Sequence, residues 1–279
     1  ETVNVYSGDV VTTALKDASG TSDALTFNLA TLAADKGFNH TVADIVVANV
    51  ESVTLDSSGM TAGKTNTLSA LSGDATLTSL TITGDSNLTI TDHASDNSKL
   101  ATINASALTG DLTLSDSVAS LAQTITTGSG NDTIVMGANL TAADVIDAGA
   151  NTVLTTGLAG KDSLTATINA TGTTTTAAAL SIANVETITL NTATAASVID
   201  AAGITGASVI NIENDQNVTI SNLAAGVELG LGATAGGGDD EYTGTLTVTL
   251  ADETGTADAL TVNIADSSTN DDTSATLKT

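Results

Sequence analysis

The stretch TTGSGNDTIV, Thr126 to Val135, packs glycine, asparagine and aspartate into one turn and then switches to Thr-Ile-Val. Set against the glycine–aspartate nonapeptide G-G-x-G-x-D-x-U-x, Thr127–Val135 reads T-G-S-G-N-D-T-I-V, and only the first glycine is replaced. The chemistry this spacing could do is calcium coordination. Glycines permit positive φ, so Gly128 and Gly130 would let the turn aim carbonyl oxygens inward, while Asp132 beside Asn131 supplies a hard carboxylate oxygen. Ile134 would then open a short strand into the core.

One such turn is half a site, because calcium sits between successive turns of a roll. The nearest second turn is TGLAGKDSL, Thr156–Leu164, which keeps Gly157, Gly160 and Asp162 ahead of the strand residue Leu164. Between them DAGANTV, Asp147–Val153, reads as a shortened glycine–aspartate turn. Asp132, Asp147 and Asp162 follow one another at intervals of 15 residues, a spacing compatible with successive coils along one edge.

The bland reading of Asp132 is a β-turn closed by its own side chain, and for Asp147 and Asp162 the two readings weigh about equally. GGGDDEYTG, Gly236–Gly244, reads as a solvated hinge, and Asp23 and Asp258 read as caps of strand turns. His40 and His93 are the only histidines and read as surface residues. No G-x-S-x-G elbow, H-E-x-x-H motif or cysteine accompanies them, so neither a nucleophile nor a zinc site is indicated. Not an enzyme is the expectation.

These residues need a scaffold, and its signature is apolar-x-apolar triplets between polar turns: VTL (Val53–Leu55), LTI (Leu80–Ile82), LTI (Leu88–Ile90), LTL (Leu112–Leu114), VTI (Val218–Ile220). Such alternation marks strands too short to stand as hairpins, which must stack into a ladder. Only TTTTAAAL (Thr173–Leu180) and LTAADVI (Leu140–Ile146) suggest short helical turns. Segments also recur in order. GTSDALTFNL (Gly20–Leu29) returns as GKDSLTATI (Gly160–Ile168), ANVESVTL (Ala48–Leu55) as ANVETITL (Ala183–Leu190), and LTITGDSNLTI (Leu80–Ile90) as INIENDQNVTI (Ile210–Ile220). YTGTLTVTLADETGTADAL, from Tyr242, restarts the pattern that begins at Tyr6. The expectation is an all-β chain of parallel β-solenoid or β-roll modules: 1–145, a shorter 146–240, and the start of a third, 241–279. It reads as a window on a longer repetitive polypeptide, or as a chain completed by its neighbour.

Composition bounds the partners. Aromatics are 1% of 279 residues and Trp and Pro are absent, so the core must be built from Val, Ile, Leu and Ala. Against 32 acidic residues stand six basic ones, all lysine, for a net charge of −26. A surface without arginine forks is a poor partner for nucleic acid, and anionic lipid is repelled by the same sign. Cations are attracted. No apolar run suits a membrane helix, and ETVNVYSGDV shows no signal peptide.

With its glycine–aspartate turn, its NVE strands and the segment INASALTGDLTL (Ile103–Leu114), the chain resembles calcium-binding repeats-in-toxin proteins, especially bacterial surface-layer proteins and large adhesins. The resemblance implies secretion to the cell surface, with Ca2+ as the ordering ion. It implies Asp132 as side-chain ligand, with carbonyls of Gly128, Gly130 and neighbours. It also implies self-assembly into a lattice or filament, with a cell-surface polysaccharide as a further partner. The departure from tandem perfect nonapeptides favours scattered sites over a long calcium-filled roll. An adhesin stalk is the alternative within this class, and the repeat region of an exported calcium-dependent hydrolase is the alternative outside it.

Overall fold

In a computed structural model the described residues are 1–15, 19–29, 36–73, 75–92, 97–115, 121–151, 161–168, 179–192, 197–213, 217–232, 244–252, 254, 259–264 and 276–278. Among them the chain is all-β, with no helix, and its strands of two to seven residues pair in parallel as a β-solenoid. No helix of the described residues is long and apolar enough to cross a membrane. The chain forms two compact units, Glu1–Asn139 with Ile146–Asp162, and Leu140–Val145 with Ser163–Thr279.

In the first unit each coil lays one strand on each of two long sheets. One sheet stacks Thr2–Val5, Ala24–Leu29, Ser52–Ser57, Ser79–Gly84, Thr102–Leu108 and Thr124–Thr126. The other stacks His40–Val42, Thr65–Leu68, Asn87–Ile90, Leu112–Ser115 and Thr133–Gly137. A third, smaller sheet pairs Val10–Ala14 with Asp44–Ala48 and Leu71–Ser72. The apolar-x-apolar triplets explain this arrangement, since alternate residues of a strand face opposite ways. Register then turns each inward position into a column: Leu25, Val53, Leu80, Ile103 and Ile125 on one sheet, and Val42, Leu68, Ile90, Leu114 and Ile134 on the other. All ten are buried. A core of aliphatic layers needs no aromatic filler, and Phe27 is the one aromatic in it.

In the second unit Ser163–Ile168, Thr187–Thr192, Val209–Glu213, Glu228–Leu231 and Thr261–Ile264 stack in register, again with a buried column, Leu164, Ile188, Ile210 and Leu229. Ser197–Asp200, Val218–Leu223, Thr245–Leu250 and Thr276–Lys278 form its second stack.

The recurring octapeptide now has a cause. Asn49 and Asn184 each hold a left-handed backbone, φ 56° and 58°, and the next residue, Val50 or Val185, is buried. Asparagine tolerates that conformation, so each ANVE turns the chain out of one strand and drops a valine into the core. Leu140–Ile146 holds one hydrogen-bonded turn and no helix: Asp144 N–H donates to the Thr141 carbonyl (3.2 Å), Thr141 N–H donates to Asp144 Oδ2 (2.7 Å), and the chain then enters the strand Val145–Asp147. One expectation is corrected here. His40 is buried, not on the surface, since its register with Asn66 and Leu88 puts it on an inward column. Burial depresses its pKa, opposed by Asn66 and the charge of Asp9. His93, residues 173–178 of the other expected helical turn, and residues 236–243 of the expected hinge lie outside the described residues.

Truncating a buried layer should cost far more than truncating its outward neighbour. Ile82→Ala is expected to lower stability by about 2–5 kcal/mol, and Thr83→Ala by no more than about 0.5 kcal/mol. Urea unfolding of the two variants checks this.

Candidate metal centre

Each coil of the first unit must turn a corner between its two long sheets. The corners follow Ser79–Gly84, Thr102–Leu108 and Thr124–Thr126, and lead into Asn87–Ile90, Leu112–Ser115 and Thr133–Gly137. At a corner the backbone leaves the regular strand ladder, and its N–H groups need other acceptors. Side chains supply them. On the outer column Asn87 Oδ1 accepts from Asp111 N–H (3.0 Å), Asp111 Oδ1 from Asn131 N–H (2.7 Å) and Asn131 Oδ1 from Lys161 N–H (3.0 Å). Asn39 does the same for Thr65 N–H (3.2 Å). Every rung ties one coil to the next.

The adjoining inner column holds His40, Asn66, Leu88, Leu112 and Asp132 in register. Here the rungs run backward: Asp132 Oδ1 accepts from Leu112 N–H (2.8 Å), and Asp162 Oδ1 accepts from Asp132 N–H (2.7 Å). Asp132 and Asp162 are each 1% exposed. Two carboxylates therefore stand stacked where the preceding coils carry leucine.

The glycines serve a different purpose from the one their motif suggests. Neither Gly128 nor Gly130 has a positive φ. A Cβ on Gly128 would lie 1.8 Å from the Leu108 carbonyl oxygen, and one on Gly130 would lie 2.5 Å from that of Gly110. They are glycine because successive coils touch backbone to backbone at the corner. Gly149, with φ +80°, meets Gly128 in the same way.

The structure brings Asp132 and Asp162 together and leaves Asp147 apart, so the even spacing does not describe one edge. A step from one coil to the next takes 20 residues between Leu112 and Asp132 and 30 between Asp132 and Asp162, so 15 residues land part-way round. Asp147 ends a strand of the other sheet, where its carbonyl accepts from Thr127 N–H (2.8 Å) and its carboxylate from Gly149 N–H (3.0 Å). Gly157 and Gly160 lie outside the described residues. Asn87 and Asp111, which the turn motif does not point to, carry half of the outer column. Their signal was a repeated quartet, Asn87-Leu-Thr-Ile, Asp111-Leu-Thr-Leu and Asn131-Asp-Thr-Ile.

Asp132 is the chemically unusual member. Its Oδ2 is buried with no hydrogen-bond donor. Thr127 and the Gly128 amide stand near it, but the Thr127 hydroxyl spends its proton on the Ala148 carbonyl (2.8 Å). Burial pushes the Asp132 carboxyl above the usual carboxylate range and the charge of Asp111 adds to this, while Thr127 and the Leu112 and Gly128 amides oppose it. A cation fits that orphaned oxygen. A cage of carboxylates does not form around it: among the described residues no three histidine, aspartate or glutamate side chains gather closely enough to hold a metal. A calcium ion held at Asp132 would complete its shell with main-chain, hydroxyl and water oxygens. Elsewhere, an open groove of about 650 Å³ runs between Ile204–Val209 and Ala224–Glu228, and its lining contains one ionisable side chain, Glu228.

No protein-family model matches this chain, and neither does any curated protein or solved structure.

Two substitutions test this account of the corner. Gly128→Ala forces backbone against backbone and should destabilise strongly, whereas Gly37→Ala, with open space around it, should stay within about 0.5 kcal/mol. Thermal melts compare them. Asp132→Asn keeps the acceptor for Leu112 and removes the buried charge. A raised folded pKa means that the native state binds the proton more tightly, so stability falls as pH rises from the ordinary carboxylate value through the raised one. Without metal, Asp132→Asn should therefore be more stable than the parent at neutral pH and lose that advantage in acid. Unfolding measured across pH reads the crossing.

Proposed function

We propose that this chain is a structural repeat protein of a bacterial cell surface: a secreted subunit that assembles with its own copies into a surface layer or similar extracellular array. The observation that carries the reading is the solenoid itself. Stacked coils joined by parallel strand ladders, and in the first unit by Asn and Asp rungs, make a scaffold that repeats similar contacts from layer to layer, which suits extended binding and assembly surfaces.

Calcium is the ordering ion in this reading. A chain with a net charge of −26 repels itself, and multivalent cations relieve that repulsion. Asp132 is the side chain we assign to the ion, because its Oδ2 is buried without a donor. Asp162 positions Asp132 by holding its N–H, and Asn131 and Asp111 fix the same corner from outside. Asp147, Gly128 and Gly130 shape the neighbouring backbone. A surface polysaccharide is the proposed anchor, and nucleic acid and lipid are disfavoured by charge.

Extracellular calcium modules bind at ~10⁻⁴–10⁻³ M, and ligand at 100 times Kd adds about 2.7 kcal/mol per site. Millimolar calcium should raise the melting temperature of the parent chain. It should also reverse the order of the parent and Asp132→Asn, because the ion compensates the charge that otherwise destabilises the corner. Negative-stain microscopy with calcium and with chelator reads assembly in parallel. Equal melting temperatures in both buffers, with dispersed particles throughout, would sink the proposal.

A further inference from the structure

The inner column that reaches Asp132 starts at a second unusual place, His40. His40 is 4% exposed, and Asn66, beside it on the next coil, is fully buried. Three polar atoms are orphaned there: both ring nitrogens of His40 and the Asn66 Oδ1. The surrounding network fixes which way the amide points. Ser57 Oγ spends its proton on the Ser86 and Asn87 carbonyls (3.1 and 3.4 Å), so toward Asn66 Nδ2 (2.9 Å) it can only accept. The Asn66 Oδ1 is thereby left as a buried acceptor without a donor. Leu88 and Leu112 fill the same column on the following coils, so packing alone does not ask for polar groups here.

On the side away from Asn66 the neighbour is a turn, not a strand. Among the described residues His40–Val42 is the outermost strand of its sheet, and the turn Tyr6–Asp9 closes its free edge. Gly8 N–H donates to the Thr41 carbonyl (2.7 Å), and Thr41 N–H donates to Ser7 Oγ (3.3 Å). The Asp9 carbonyl accepts from Ala43 N–H (3.0 Å) and Asp44 N–H (3.4 Å). Tyr6 N–H and Asp9 Oδ2 (3.0 Å) close the turn on itself. Tyr6, Ser7 and Gly8 are exposed, so a single solvent-facing turn stands over the edge of the strand that carries the buried imidazole.

We propose that this is an acid-opened latch: protonation of His40 releases the Tyr6–Asp9 turn and bares the edge of His40–Val42. A neutral imidazole has one N–H, and the cation has two. Asn66 Oδ1 can take one of them. The other finds no acceptor while the turn is closed, because Asp9 Oδ2 is held by Tyr6 and its carbonyl by two amides. Burying such a cation costs more than wetting it. The charged groups on the elements around the ring are Asp9 on the turn, Lys36 and Asp44 flanking its own strand, Lys64 ahead of the next, and Asp56 on Ser52–Ser57. Lys36 is drawn toward Asp85, and Asp9 is the one whose charge acts on the ring. Burial outweighs the help of Asn66 and Asp9 and holds the native pKa below the ordinary value. The open state therefore binds the proton more tightly. Closure is fully favoured above the ordinary histidine value and weakens as pH falls from there through the lowered one. The freed edge offers the main-chain groups of Thr41 for pairing with another strand.

The test uses the full chain without calcium, and it is independent of the surface-layer reading, which survives if the latch fails. Asp132 shifts stability with the opposite sign over its own range, so the two effects separate. Amide hydrogen exchange is followed by NMR from neutral pH down across the ordinary histidine value, and protection is corrected for intrinsic rates. In the parent, the amides of Gly8, Thr41, Ala43 and Asp44 should lose protection by up to about tenfold per pH unit. Leu88 and Thr91, whose amides bond within later coils, should keep theirs. His40→Leu, the residue that Leu88 and Leu112 already place in this column, should abolish the pH dependence while leaving His93 and Asp132 intact. The His40 ring of the parent should titrate below its ordinary value, a readout that holds even if the variant folds poorly. Constant protection in the parent overturns the latch, as does a ring that titrates at or above the ordinary value. The same loss in folded His40→Leu overturns it in favour of another titrating group. Simultaneous loss at Leu88 and Thr91 overturns it in favour of global acid unfolding.

Discussion

The first unit depends on where backbone N–H groups find acceptors when a parallel strand ladder reaches a corner. Along a strand the neighbouring coil satisfies them. At the corner the chain changes direction, and a buried amide without an acceptor costs free energy comparable to a lost hydrogen bond. Asn39, Asn87, Asp111 and Asn131 meet the demand from outside, and Asp132 and Asp162 from inside. The glycines bring the coils close enough for those rungs to close. Short strands then become viable, because each is clamped at its end as well as paired along its length.

That logic separates what the residues announced from what they concealed. The triplets around Val53, Leu80, Leu88 and Leu112 specify short strands with one buried face, and stacking is the arrangement that buries that face coil after coil. The parallel all-β fold was therefore legible. Asp132 was legible as special, since aspartate after two closely spaced glycines must sit in a tight turn. Its direction was not. Whether a carboxylate faces a cation or an amide depends on which residue of the previous coil lies beneath it, here Leu112, 20 residues upstream. Coil length, which sets that pairing, varies along the chain, so the regular spacing of Asp132, Asp147 and Asp162 gave a false edge. His40 misled for the same reason: its burial comes from register with Asn66, not from its own neighbours.

The buried pair of carboxylates is where structural economy and chemistry meet. Leu88 and Leu112 show that the inner column accepts a hydrophobic side chain, so charge at Asp132 is not required for filling space. What it adds is an acceptor for Leu112 and an oxygen with no donor of its own. The corner thereby carries a local electrostatic cost that protons or a cation can relieve, within a scaffold that otherwise needs neither.

The outer column has a consequence for how such a chain can vary. Each rung offers one side-chain oxygen to a main-chain N–H, and Asn and Asp present that oxygen in the same place, as Asn87, Asp111 and Asn131 do in succession, with Asn87 Nδ2 also donating to Asp111 Oδ2 (3.2 Å). Exchanging one for the other alters charge by a full unit while the coil beneath keeps its hydrogen bond. Net charge is thus a dial that turns separately from the fold. A lineage built on these coils could shift its charge at the corners one unit at a time while each main-chain rung is kept.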